Sequence, residues 1–208
     1  MRLDFAVGSL SCIKSVSQRG LAAYWDRVSA ARPYPSFDEF DPGPRLHDPK
    51  QLVVWKVEDG PRRNFRALSV GGLVREAFNT NWTGKTLEEV TPPLLLLPVM
   101  SASQEWADAG CAVYTVLRTE DGSGQFIDFE RLLLPFGRAN RVEQIVASLQ
   151  LVSVKGSFER RNVAQNFNAR CDCVFAVRIA SRLNPKSSSV VAAPPEAATL
   201  TTQVVEID

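Results

Sequence analysis

The chain has 208 residues, of which 45% are hydrophobic and 23% are charged, and its formal net charge at pH 7 is +1. This length suits one domain with appendages, and the composition is that of an ordinary globular protein. DNA- and RNA-binding proteins normally need a basic excess on one face, so the balanced charge argues against a nucleic-acid partner.

Residues 1–16 predict a loosely held N-terminal arm, because Asp4, Gly8 and two serines interrupt its mildly apolar stretch. No apolar run reaches the roughly 20 residues that a membrane-spanning helix needs, and no clear cleavage site marks a secretory signal. The four cysteines give no disulfide framework of the secreted type. These features predict a cytoplasmic protein that is not held in a membrane.

Residues 17–49 predict a leading helix followed by a loop. Leu21, Tyr24, Trp25 and Val28 recur at helical spacing and form an apolar stripe over residues 17–31. Prolines from residue 33 onward end the helix. Because the stripe exposes more apolar surface than a monomer tolerates, we expect these four residues to form a homodimer interface or else to cap the sheet.

Residues 50–155 predict the structured core. Two strands, over residues 52–57 and 65–70, form a hairpin. A short helix follows over residues 73–78, then a second opened by a capping box at Thr86 and Glu89, and a longer helix that ends at Gly110. Three strands then form a meander over residues 111–118, 125–134 and 142–152. This order predicts an α+β fold with five antiparallel strands and helices packed on one face.

Residues 156–183 give a weaker signal and predict a partly ordered extension. A polar helix over residues 158–167 and a short extra strand over residues 173–179 are compatible with its pattern. From residue 184 to residue 208, Pro, Ser, Ala and Thr dominate, so we expect this tail to be disordered.

The order of elements, with three blocks of residues, resembles a bacterial family of short, stand-alone PAS-like domains. The blocks span about residues 20–148 and consist of Leu21, Tyr24-Trp25, Arg32, Pro35-Ser36 and Asp41-Pro42; Phe65-Arg66, residues 71–78, Thr83-Gly84 and Leu87; and Glu130, Leu132-Leu133-Leu134-Pro135, Arg141-Val142 and Ile145. Asn79 and Asn140 stand where the family pattern has glycine, and Asn shares glycine's tolerance of left-handed backbone. Gly72 stands where the pattern has threonine.

The resemblance implies a PAS-like fold and a sensory or protein-interaction role, and it implies no particular ligand. No kinase, cyclase or DNA-binding segment fits in the remaining residues, so the signal would pass to another protein. A pure interaction scaffold with a filled core is an alternative that the sequence does not separate from a sensor.

Aromatic residues are the candidate lining of a ligand pocket between sheet and helices. We expect Trp55, Phe65, Trp106 and Tyr114 to reach this space, with Trp106 sharing the inner face of its helix with Val99 and Ser103. Phe126 and Phe129 complete the aromatic set. Core packing is the commoner use of such residues, and an unidentified small molecule is the ligand that the pocket hypothesis would require.

Residues 79–86 approach a phosphate-binding loop, ending in Gly84-Lys85-Thr86, but Asn79 stands where that motif needs glycine. A small nucleotide-dependent enzyme using this turn is therefore an alternative function. It is disfavoured because a short helix precedes the loop, Trp82 would crowd a phosphate, and the capping box already explains Thr86.

No cofactor and no metal are predicted. The resemblance would place a haem-binding histidine on the long helix or a flavin-binding cysteine in the crossover, and neither segment has one; the single histidine is His47. Cys171 and Cys173 are too few for a closed zinc site, and Cys111 has no neighbouring base in sequence. Asp128 and Glu130 alternate on one strand face, which we interpret as a solvated face or a partner-binding edge rather than an acid–base pair.

Overall fold

The structure is a computed structural model that describes residues 5–30, 32–43, 46–60, 63–120, 125–139, 141–153 and 172–180. The helix predicted over residues 158–167, the tail from residue 184, Cys171 and Asn140 lie outside these described residues. No helix in the described part of the chain has the length and apolar character needed to cross a membrane.

Across the described ranges the chain forms seven strands and four α-helices. The strands are β1 (Ala6–Gly8), β2 (Leu52–Glu58), β3 (Asn64–Val70), β4 (Val113–Glu120), β5 (Phe126–Arg138), β6 (Arg141–Ser153) and β7 (Asp172–Ile179). The helices are α1 (Val16–Ser29), α2 (Gly72–Phe78), α3 (Leu87–Val90) and α4 (Pro93–Ala109). All seven strands belong to one sheet in the order β1-β7-β4-β5-β6-β2-β3.

This sheet corrects the predicted fold. The α+β class agrees with the structure, but the prediction of a five-stranded antiparallel sheet is wrong: the described residues form a seven-stranded mixed sheet. The five predicted core strands pair antiparallel. The strand β7 then pairs antiparallel with β4, and β1 pairs parallel with β7. A strand of three residues has too few positions to show a period in sequence, and its partner lies about 170 residues further along the chain.

The N-terminal segment is attached to the sheet, whereas the sequence predicted a loose arm. Ala6 and Gly8 are in register with Val177 and Ile179. Ile13, which follows, is completely buried. This attachment depends on pairing with β7, so local sequence could not indicate it.

Helices cover both faces of the sheet, which corrects the prediction of one covered face. The Arg131 guanidinium lies 5.5 Å from the ring centroid of Trp106 in α4. Three positions away on the same strand, the Asp128 carboxylate lies 3.6 Å from the ammonium of Lys14, which comes two residues before α1 begins. Because successive side chains of a strand point to opposite faces, α4 and α1 lie on opposite sides. We call these sides the α4 face and the α1 face.

The leading helix α1 packs on its own sheet. Leu21, Tyr24 and Trp25 are buried within the single chain, and Val28 is half-buried. The indole Nε1 of Trp25 donates a hydrogen bond of 2.7 Å to the carbonyl of Pro135 in β5. The predicted dimer interface at these four residues is therefore corrected: the stripe caps the sheet, because β5 and β6 already supply the apolar surface that it needs.

Local signals in the crossover are confirmed. The Thr86 hydroxyl accepts from the Glu89 amide at 3.3 Å, and the Glu89 carboxylate accepts from the Thr86 amide at 2.6 Å, which completes the capping box. Gly110 ends α4 with φ +61°, and Asn79 ends α2 in the left-handed region with φ 48°. These residues fix where α3 begins and where α2 and α4 end.

Candidate functional site

A cavity of about 80 Å³ lies between the α4 face of the sheet and helices α2, α3 and α4. Its walls come from side chains of five strands, three helices and the segments between them. Prominent members are Trp55, Phe65, Phe78, Trp82, Leu95, Val99, Ser103, Trp106, Leu117, Phe129, Arg131, Leu133 and Ile145. The lining is dominated by apolar and aromatic groups, as ligand pockets usually are.

One wall is a chain of aromatic rings. Trp55 and Trp82 have centroids 6.1 Å apart, Trp82 and Phe78 are separated by 4.7 Å, and Phe78 and Phe129 by 5.7 Å in an edge-on arrangement. These separations lie within the range favoured for aromatic pairs. The four rings therefore form one continuous aromatic wall.

The rim of the cavity lies at the connection between α3 and α4. Leu87, Val90, Thr91 and Pro92 line the cavity and are only half-buried. Their elements are short, since α3 has four residues and Pro92 precedes the first turn of α4. The cavity therefore approaches the surface where the covering structure is thinnest.

Polar groups are few and lie at the end of the cavity near β4 and β5. Ser103 and Trp106 are 1% and 4% exposed, and the Ser103 hydroxyl donates to the carbonyl of Val99. The Trp106 Nε1 is buried without an acceptor among the described residues. Arg131 is 9% exposed, and its guanidinium stands over the Trp106 ring. This end of the cavity therefore holds the Arg131 guanidinium and an indole donor.

Three of the four predicted pocket residues lie together, and the fourth does not. Trp55, Phe65 and Trp106 all line the cavity. Tyr114 is paired in register with Leu132, on the α1 face. There its hydroxyl accepts from the Lys14 amide at 3.4 Å. The prediction that Tyr114 lines the pocket is therefore wrong, because strand alternation places its side chain on the opposite face of the sheet.

Sequence reasoning missed the roles of Phe78, Trp82 and Arg131. From the sequence, Trp82 is interpreted only as a side chain that would crowd a phosphate, yet Trp82 is part of the aromatic wall. Arg131 follows Phe129 by two residues, so alternation alone would have placed both on one face. Phe126 stands outside this set, because it is 48% exposed.

Asp128 and Glu130 are buried on the α1 face, which corrects their interpretation as a solvated face. The Asp128 carboxylate accepts from the Arg118 guanidinium at 2.7 Å and lies 3.6 Å from the Lys14 ammonium. Burial raises the pKa of Glu130 above the usual carboxyl value, although its hydrogen bond from Tyr114 opposes the shift. Burial also raises the pKa of Tyr114, and the nearby Glu130 charge adds to that effect.

The segment that approaches a phosphate-binding loop has its backbone amides occupied. The Thr83 amide donates to the Asn81 side chain, and the Gly84 amide donates to the Ala67 carbonyl. The Lys85 amide donates to the Trp82 carbonyl, and the Thr86 amide donates to Glu89. A phosphate cradle needs such amides aimed at the ligand. This geometry argues against the nucleotide-dependent alternative.

Two cysteines, Cys111 and Cys173, lie in surroundings that favour neutral thiols. Burial raises the pKa of Cys111 to about 11, and it raises the pKa of Cys173 as well. Thiolates are the nucleophilic and metal-binding form. The part of the chain that the structure describes contains no group of three or more His, Cys, Asp or Glu side chains that could hold a metal ion.

No family model matches this chain, and neither a curated protein nor a solved structure is similar to it. The function is therefore argued from the geometry of the cavity.

Proposed function

We propose that this protein is a sensory module that binds a small molecule in the cavity and signals through a partner protein in the cytoplasm. The observation that carries the proposal is a cavity of about 80 Å³ walled by three tryptophans, Trp55, Trp82 and Trp106. The resemblance to stand-alone PAS-like domains supports a sensory role.

An empty cavity lowers the stability of a protein whose interior serves only as a packed core. At roughly 24 cal/mol per Å³, an 80 Å³ cavity lowers stability by about 2 kcal/mol. Slightly larger side chains in the wall would fill the cavity. Protein interiors normally pack without such gaps. A ligand that occupies the space returns the lost contacts, which favours a binding site over a filled scaffold.

The rim connects a bound ligand to a surface that a partner can contact. The helix α3 has four residues, and its N-terminal end is held by the Thr86–Glu89 capping box. Because Leu87 and Val90 line the cavity from this helix, a ligand that contacts them stabilises α3 in one position. The exposed side of α3 carries Glu88 and Glu89, which a partner can contact.

Native mass spectrometry of the protein as purified, compared with its denatured mass, tests the proposal. We expect a reproducible adduct that is lost in Trp106→Ala, because this substitution removes one cavity wall. Trp25→Phe is the matched control, since it alters a tryptophan on the α1 face and should retain the adduct.

A filled scaffold predicts the opposite pattern. Absence of an adduct, together with a stability loss of about 3–5 kcal/mol in Trp106→Ala, would show that Trp106 is an ordinary core residue. That result would overturn the sensory proposal.

A further inference from the structure

A buried donor in the wall of the cavity lacks a hydrogen-bond partner within the described part of the chain. It is the indole Nε1 of Trp106, whose side chain lines the cavity and is 4% exposed. Buried polar groups in native proteins are almost always hydrogen-bonded, so such an exception calls for an explanation. An indole nitrogen is a donor only, which means that the missing partner is an acceptor.

The polar neighbours of Trp106 in the lining do not supply this acceptor. Ser103 lies one helical turn earlier, and its hydroxyl donates to the carbonyl of Val99 at 2.8 Å without accepting from the indole. Arg131 comes from β5, with its guanidinium 5.5 Å from the Trp106 ring centroid, and a guanidinium has no acceptor. An acceptor that enters the cavity would therefore complete the hydrogen bonding of the indole.

The chemistry of the lining favours an uncharged ligand. Arg131 already interacts with other groups of the protein, so its charge does not need a ligand anion to balance it. A ligand cation would meet the same guanidinium at the wall. The rest of the lining is largely hydrocarbon and aromatic, and moving an ion into such surroundings costs far more than moving a neutral polar group.

We propose that the cavity binds a small neutral molecule with an apolar body and one acceptor oxygen, such as a ketone, an ester or an ether. The oxygen accepts from the Trp106 Nε1, and the apolar body lies against the aromatic wall. This inference rests on the proposed function and names the ligand class for the same site. One oxygen on an apolar molecule suits this mostly apolar wall better than a water, because a buried water makes about three hydrogen bonds.

The size of the cavity and the single acceptor select the test compounds. A cavity of roughly 150 Å³ holds benzene in an engineered protein, and this one measures about 80 Å³. The half-buried rim at Val90 and Thr91 allows a chain end to extend outward. Butan-2-one is therefore the matched probe. Its analogue 2-methylbut-1-ene replaces the oxygen by a methylene group of similar size, and propanoate has the same shape with a negative charge.

The indole resonances of ¹⁵N-labelled protein give a direct test. The chain has four tryptophans, and Trp106→Phe identifies the Trp106 signal by its disappearance. Titration with butan-2-one to roughly 10 mM, a range suited to so small a ligand, should move this signal downfield and saturably. The alkene offers no acceptor, so it should not produce the downfield shift. The Trp25 signal should stay in place with both compounds, because its indole already donates to the Pro135 carbonyl.

Two variants separate the hydrogen bond from general binding in the cavity. Trp106→Phe removes the donor and keeps an aromatic ring. It should lower the ratio of affinity for butan-2-one to affinity for 2-methylbut-1-ene by about fivefold, as expected for one ordinary hydrogen bond. Ile145→Val trims another side chain of the lining without removing a polar group, so it should leave this ratio unchanged. The ratio is informative because the two compounds share one shape and respond alike to a change in cavity size.

The outcomes distinguish this inference from the proposed function. The downfield Trp106 shift, together with the loss of the affinity ratio in Trp106→Phe alone, supports the inference. An unchanged ratio in that variant overturns it, as does tighter binding of propanoate than of butan-2-one, or binding of none of the three compounds. An adduct in native mass spectrometry that is charged or has no acceptor oxygen also overturns the ligand class, and it leaves the sensory proposal standing. Absence of any adduct, with the full stability loss in Trp106→Ala, overturns both.

Discussion

The two faces of the sheet are both apolar at their centres, but they meet their helices in different ways. On the α1 face, the Trp25 indole donates to the Pro135 carbonyl, and the buried Gln18 amide donates to the Ser148 carbonyl at 2.9 Å. On the α4 face, the Trp106 indole has no acceptor among the described residues and borders a cavity. Two tryptophans of similar burial therefore have different surroundings: Trp25 anchors a helix, and Trp106 borders the cavity in which we propose that a ligand binds.

The largest expected effect comes from truncating both tryptophans. Trp25→Ala should destabilise the protein by about 3–5 kcal/mol, because it removes a packed ring and leaves the Pro135 carbonyl without its donor. Trp106→Ala should cost clearly less, since part of the Trp106 side chain borders the cavity instead of packed protein atoms. Urea unfolding of ligand-free protein measures both changes. Equal losses would show that the two faces are packed alike.

The part of the fold that sequence could predict is the part fixed by short-range chemistry. Thr86 and Glu89 lie three residues apart, and their capping box needs nothing else. Gly110 and Asn79 adopt left-handed backbone at helix ends, as their side chains favour. The parallel pairing of β1 with β7 depends on a partner far along the chain, and no local pattern encodes it.

The candidate site was predictable to the same extent. Trp106 shares a helix face with Val99 and Ser103, and helical periodicity was enough to place all three in the cavity. To place Tyr114, one must know which face of its strand is turned toward α4. An error of one position reverses that assignment. Arg131 is a charged residue in an apolar wall, so the pattern of hydrophobic residues in the sequence does not identify it.

The α1 face carries its own unusual group, and pH tests it. Because burial raises the pKa of Glu130, the folded state binds more protons than the unfolded state between the ordinary and the raised pKa. Stability therefore falls as pH rises through this window, and the full penalty is present above it. Glu130→Gln cannot ionise, so it should gain stability relative to the wild type as pH rises from the acidic range to neutrality.

Thermal unfolding across this pH range measures the difference between Glu130→Gln and the wild type. Lys14 and Asp128 keep their ion pair in both proteins, so their contribution is shared. Glu88→Gln makes the same chemical change on an exposed side chain and serves as the control. Parallel curves for wild type and Glu130→Gln would mean that the buried carboxyl titrates as it does in the unfolded chain.

The smallest expected effects concern the two helix caps, one on each face. The Ser15 hydroxyl accepts from the Gln18 amide at the start of α1, and Thr86 caps α3 at the rim of the cavity. Ser15→Ala and Thr86→Ala should each remove about 1 kcal/mol of helix stability. The two losses should differ in where they appear, because α1 is part of the core and α3 is a four-residue segment beside the rim.

For Ser15→Ala we expect the loss in global unfolding by urea, since α1 opens only when the protein unfolds. For Thr86→Ala we expect little change in global stability but faster hydrogen exchange of the α3 amides, which report local opening. Thr86→Ser retains the cap and should restore slow exchange. If Thr86→Ala instead lowers global stability as much as Ser15→Ala, then α3 opens only together with the core, and the rim cannot respond to a ligand independently of the rest of the fold.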